Sequence, residues 1–350
     1  MNQSDRTPCV RNILIGNVLG TIGILNLIIG LMGISIWTVY LLSKNNSRKS
    51  PQGQTARLIN GAAETATEDT EEHVKTGWPT CALRPSSKLF LLCIFMSDLL
   101  GLCTSNFRFT VLCLVGKDVR LMCGEWCCRV QLVLAYNAGD LSAWFAAIVC
   151  AERFLIMLLP TSTYTRNFSR IFPALIISVS MALLTFLTNL FLLIPSEPVC
   201  NGSYTNFSII VFKMIYASVL PFVIVSVSTT GSTVILLRHW HGTRKKNQNR
   251  KSKMVTKGMM ASQLMLVTGI IFLAGTLPVF VNNLVNPYCC ILTAPTNCTL
   301  ADYRFNAICL AYWTTVCLRT YLLIMISGQT RQDIKQLISQ ICSHVIQRLH

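Results

Sequence analysis

The residues able to do chemistry in this chain are ionic groups set into apolar sequence. In "CAERFLIMLLP", residues 150–160, Glu152 and Arg153 stand side by side after eleven residues without charge. Asp98 lies in "FMSDLLG", Asp140 in "NAGDLSAWF" and Arg319 in "CLRTYLL", each flanked by apolar residues. An ionisable group in such surroundings costs several kcal/mol unless it is paired, so each is a candidate functional group. The sixteen cysteines invite a metal site. However, "CGEWCC" and "PYCC" stand apart from any histidine cluster, which favours disulfides. No Ser/His/Asp triad, zinc motif or phosphate-binding loop stands out, so neither an enzyme nor a metal or other cofactor is expected.

These groups need helices long enough to carry them through a membrane. The chain has 350 residues, 52% hydrophobic and 13% charged. Its charge-free runs are too long and too numerous for a soluble core. A span needs roughly 20 apolar residues to cross about 30 Å of hydrocarbon. Seven segments qualify, near 13–42, 89–107, 130–157, 171–195, 208–237, 258–282 and 305–326, predicting an all-α membrane protein built as a seven-helix bundle.

The net charge of +16 follows the membrane rather than a nucleic acid. With alternating loops assigned to opposite sides, 21 of the 30 Lys and Arg fall on one side and six on the other. That places the N-terminus (1–12) outside and the C-terminus in the cytosol. The sequons at Asn2, Asn201, Asn206 and Asn297 fall outside and are expected glycosylation sites. Those at Asn45 and Asn167 fall inside and should stay bare. With so few residues ahead of the first span, that span is expected to be an uncleaved anchor. The long inner loop 44–88 is polar and acidic, a composition that cannot bury a core. Loop 238–257 carries eight Lys or Arg and no acid, a topology signal that also attracts anionic lipid. Within 327–350, Ile334, Leu337, Ile338, Ile341, Val345, Ile346 and Leu349 form one helical face. Such a helix lies along the inner leaflet, with Cys342 as a palmitoylation candidate.

Cys128 precedes Arg153 by 25 residues, about 38 Å on a continuous helix. This puts a cysteine at the outer interface and the Glu-Arg pair at the inner one. The arrangement resembles the third helix of rhodopsin-like (class A) G-protein-coupled receptors, in which an acid-Arg-aromatic triplet follows an outer Cys by that spacing. The triplet here is Glu152-Arg153-Phe154. Asp98 in the second helix, Pro221 in the fifth, and Phe272 six residues before Pro278 in the sixth extend the likeness over nearly the whole chain. Within that family the chain is similar to the prostanoid receptors in "SSKLFLLCIFMSDLLG" and "RFNAICLAYW". It lacks their seventh-helix arginine, having Cys309 and Leu310 there, and their Trp before the loop cysteine.

The resemblance implies that Cys128 is bridged to Cys200, and that Glu152 holds Arg153 until a Gα subunit takes its place. A second bridge would link Cys9 to Cys289, Cys290 or Cys298. In the family the helix-two acid shares a sodium site with a polar residue of helix seven; Arg319 would occupy the cation's place. Lys253, Lys257 and Gly258 offer no acid to lock Arg153, which implies raised basal signalling. Pro221, Phe272 and Pro278 would form the switch. Several family features are changed. Ile34 stands where helix one carries a polar anchor, Thr276 replaces the toggle Trp, and "CLRTYLLIMISG" replaces Asn/Asp-Pro-x-x-Tyr. A receptor captured by a large DNA virus, and so displayed on the host cell membrane, would have this character.

Ligand-pocket candidates are Lys213, Arg129, Tyr136 and Thr276. Lys213 would either pair with the carboxylate or phosphate of a lipid or snorkel to the outer headgroups. A small lipid-like ligand, a small peptide, or none in a constitutive receptor, fits the short N-terminus. The expected partners are a heterotrimeric G protein and the plasma membrane, with no nucleic acid. The alternatives are a seven-helix transporter or channel, with Asp98, Asp140 and Arg319 as its ion path, and a decoy that binds without signalling.

Overall fold

The computed structural model describes residues 13–46, 84–116, 118–122, 124–159, 162–168, 170–193, 207–246, 267–279, 281–282, 300–326, 339 and 343. Among them the chain is helical apart from short connections, with no strand. We label the long helices α1 (Ile13–Asn46), α2 (Pro85–Val115), α3 (Gly124–Leu158) and α4 (Ile171–Leu193). They are followed by α5, in consecutive pieces Phe207–Met214, Ile215–Val219 and Leu220–Lys246, then α6 (Val267–Val279) and α7 (Leu300–Ile326). Five of them, α1 to α5, are long and apolar enough to cross a membrane. The described part of α6 is shorter. Most of the 44–88 loop, the inner end of α6 and nearly all of the 327–350 tail lie outside the described residues. Ser339 and Ser343, the exceptions in the tail, are helical and exposed.

The bundle is apolar outside and polar within. Helix α1 exposes Leu14, Val18, Leu25 and Met32, and α4 exposes Phe172, Val179, Leu183 and Leu187. Asp98, Asn106, Asn189 and Arg319 are buried. A soluble domain does the reverse, whereas a lipid-bathed bundle gains nothing by hiding leucine and must satisfy its polar groups internally.

Close approach of the helices depends on small residues along α1. A Cβ on Gly23 would lie 2.1 Å from Thr110 Oγ1, and one on Gly30 2.5 Å from Leu102 Cδ1. These glycines let α1 wedge between α2 and α7. At its inner end Trp37, Phe90, Phe95, Phe145 and Trp313 form the largest apolar cluster, which Ile34 joins. Trp37 Nε1 donates to Thr320 O at 2.9 Å, so the one polar atom of that ring is satisfied. The polar tie of α1 sits two turns outward of Ile34. Asn26 Nδ2 donates to Leu310 O at 3.1 Å, and Asn26 Oδ1 accepts from Thr314 Oγ1 at 3.1 Å.

Two irregularities bear on the sites. A π-helical turn, Leu102–Asn106, interrupts α2 just beyond Asp98, and another, Ile215–Val219, interrupts α5 just after Lys213. Such a turn inserts one residue and rotates everything beyond it by about 100°. Helix α2 ends at Gly116, whose left-handed φ of 74° lets its N–H reach Leu112 O.

Candidate functional site

At the inner end of the bundle, Pro85 opens α2 and brings Ser86 and Ser87 to the last turns of α3. Ser86 Oγ donates to Glu152 Oε1 at 2.5 Å, and Ser87 Oγ donates to Glu152 Oε2 at 2.8 Å. Arg153 Nη2 donates to Ser87 Oγ at 2.7 Å. One hydroxyl therefore joins the adjacent acid and base, and Glu152 acts through α2. Both ionic residues are buried. Phe154 packs on α5, where a Cβ on Gly231 would come within 2.4 Å of its ring.

At the other end of the same continuous helix, Cys128 is buried and disulfide-bonded. Its partner lies outside the described residues, as does Cys200. So do Cys9, Cys289, Cys290 and Cys298, the sequons at Asn2, Asn201, Asn206 and Asn297, and Cys342.

In the middle of the bundle Arg319 of α7 forms an ion pair with Asp98 of α2. Ser142 of α3 donates to Asp98 Oδ1 at 2.7 Å and accepts from Arg319 Nη2 at 3.2 Å. Three helices thus converge on one buried carboxylate, whose charge is matched where it sits. Beside it, Phe272 of α6 packs with Ala143, Ala146, Ala147, Cys150 and Val225. Pro221 is buried just beyond the α5 π turn, whereas Pro278 is exposed. Thr276 Oγ1 bonds back to Phe272 O at 2.7 Å, a bond within its own helix.

A second ion pair lies further out. Lys213 Nζ donates to Asp140 Oδ2 and to Asn189 Oδ1, both at 2.6 Å. Asn189 Nδ2 in turn donates to Asp140 Oδ2 at 3.1 Å, tying α3, α4 and α5 together. The Lys213 ammonium also lies 5.6 Å from the ring centroid of Tyr136. Lys213 therefore reaches into the bundle and not outward to the headgroups. Arg129 is likewise committed: it pairs with Glu125 one turn away at 2.5 Å and reaches Leu192 O at 3.3 Å.

Sequence reasoning passed over Ser86, Ser87, Ser142, Asn26 and Asn189, and with them a cluster at the outer end of α2. There Asp118 accepts from Arg108 Nη2 at 2.8 Å and Arg120 Nη2 at 2.7 Å. Burial raises the Asp118 carboxyl, but hydrogen bonds and charge from Arg120 and Arg108 outweigh it, holding the group well below the ordinary carboxylate range. The buried asparagines were visible as lone amides in apolar runs, a signal of the same kind as a lone charge. The hydroxyls carry no such mark. Among the described residues no group of three His, Cys, Asp or Glu is placed to hold a metal ion.

Comparison with known families gives one match. The model of the 7 transmembrane receptor (rhodopsin family) matches residues 79–318, well over half of the chain. Among curated proteins none matches.

Proposed function

Since the chain belongs to the rhodopsin family of seven-transmembrane receptors, we propose that it transmits occupancy of its outer half to a heterotrimeric G protein, with Arg153 as the residue the G protein engages. One observation carries this reading. A single unbroken helix, α3, has a disulfide-bonded cysteine near its outer end and the Glu152-Arg153-Phe154 triplet, with Glu152 and Arg153 buried, near its inner end. Cys200 is the proposed partner of Cys128. Releasing Arg153 from Ser87 frees a guanidinium that is always charged and suited to backbone carbonyls at the end of an incoming helix. The ion pairs at Asp98–Arg319 and Asp140–Lys213, with Ser142, tie α3 to α2, α5 and α7, so movement of α3 works against them.

The ligand is a small lipid-like or peptide molecule. Basal signalling is raised, because the expected inner end of α6 supplies cations rather than an acid to hold Arg153. The prostanoid branch and a viral origin are carried by the sequence likeness alone, as is residence in the plasma membrane. Guanine-nucleotide exchange in membranes, compared for wild type and Arg153→Ala, tests the reading. Exchange above that of receptor-free membranes, abolished by the substitution, supports it. No exchange, together with ion flux in liposomes that needs Asp98 and Arg319, favours a channel instead.

A further inference from the structure

Among the described residues the ion pairs of the bundle join one acid to one base, except in one place. Asp98 answers Arg319, Asp140 answers Lys213 and Glu125 answers Arg129. At the outer end of α2, however, Arg108 and Arg120 share the single carboxylate of Asp118. Their side chains are only 16% and 3% exposed. The depressed Asp118 stays ionised at neutral pH, so the cluster carries a net charge of one, positive and largely withdrawn from water. An uncompensated charge in such a place costs several kcal/mol. The ring of Phe109, 4.9 Å from the Arg108 guanidinium, offsets only part of that.

Both guanidiniums approach Asp118 by the same edge, through Nε and Nη2. Nη1 of each remains uncommitted among the described residues. The unused side of a guanidinium is a fork that accepts a carboxylate or phosphate with two parallel hydrogen bonds. Tyr136, on α3, lies within electrostatic reach of both arginines and of Asp140, which places the cluster beside the second ion pair. Arg108 keeps enough exposure to be reached from the outer side.

We propose that Arg108 and Arg120 form an anion-binding site that recognises the carboxylate or phosphate of the ligand, a role that Lys213 and Arg129, already neutralised, do not fill. This deepens the receptor reading and rests on it for the word ligand, but binding is measurable without any G protein. The purified full chain in neutral phosphatidylcholine nanodiscs would be melted with inorganic phosphate, decanoate, lysophosphatidate or decanol.

The expected result is a higher melting temperature with at least one anion and none with decanol. Phosphate alone sufficing would identify a site for small free anions, and a response confined to decanoate or lysophosphatidate a lipid headgroup site. Arg108→Gln should weaken the response about tenfold in anion concentration, the equivalent of one lost charge-assisted contact. Asp118→Asn, which removes the resident competitor, should strengthen it. The opposite signs keep the test decisive if one variant folds poorly. No stabilisation of wild type by any anion, or an unchanged response in both variants, overturns the site. The nucleotide-exchange assay stands or falls separately.

Discussion

Ser87 stands between Arg153 and Glu152, accepting from the first at 2.7 Å and donating to the second at 2.8 Å. The restraint on the inner end of α3 therefore belongs to α2 as much as to the acidic neighbour of Arg153. A net hydrogen bond contributes about 1 kcal/mol, more with a charged partner. Ser87→Ala should raise basal nucleotide exchange by roughly two- to tenfold, as read by nucleotide binding to membranes. An unchanged basal rate, with surface expression equal to wild type, would remove Ser87 from the restraint.

The Asp98–Arg319 pair should behave as a unit. Removing one partner strands the other and costs about 3–5 kcal/mol. Asp98→Asn and Arg319→Gln should each lower the melting temperature of the detergent-solubilised protein, and the double variant should lie above the sum of the two losses. A double variant that expresses worse than either single would contradict the pairing.

The same guanidinium, proposed to stand in the cation's place, pairs with Asp98 directly. Exchanging sodium chloride for choline chloride at constant ionic strength should leave the melting temperature where it is. A sodium-specific rise would show that a cation still enters beside Arg319.

Stability should fall in acid through Asp118. Its carboxyl is depressed in the folded protein, so the unfolded chain, with an ordinary value of about 3.9, takes up a proton first as pH drops. The contribution is complete above that value and declines below it, towards the folded one. Wild type and Asp118→Asn should differ in melting temperature at pH 7 and converge towards pH 3. A gap that widens in acid would have the sign wrong.

Packing offers a test independent of charge. A Cβ on Gly101 would meet the ring of Trp313 at 2.2 Å, and an indole in the main apolar cluster has nowhere to move. Gly101→Ala should cost about 1–3 kcal/mol, seen as a lower melting temperature. An unaltered protein would mean that α2 and α7 are less tightly apposed.

The sequence showed the seven helices because each apolar run must match the hydrocarbon thickness, and it showed the lone charges because they are expensive there. The partner of Asp98 was legible through the family pattern, in which Arg319 stands at the cation's place. Lys213 was visible but its partners were not, since nothing in its spacing points to Asp140 and Asn189 on two other helices. Ser87 and Ser142 were illegible for want of cost, a hydroxyl being able to bond to its own helix wherever no better partner exists. The polar tie of α1 at Asn26 went unread because attention fell on Ile34, which stands where the family carries a polar anchor, two turns away. Arg108 and Arg120 entered only the count of outer-side cations and Asp118 entered none, and nothing in their spacing announced that the two share the third.

Arg319 is anchored to α7 by its own backbone. A dissolved ion comes and goes with the medium and the compartment, whereas a tethered cation accompanies every copy of the protein at fixed stoichiometry. Displacement of the inner half of α7 must carry that charge along, so helix travel and rupture at Asp98 become a single event whose barrier no change in the surrounding electrolyte can empty.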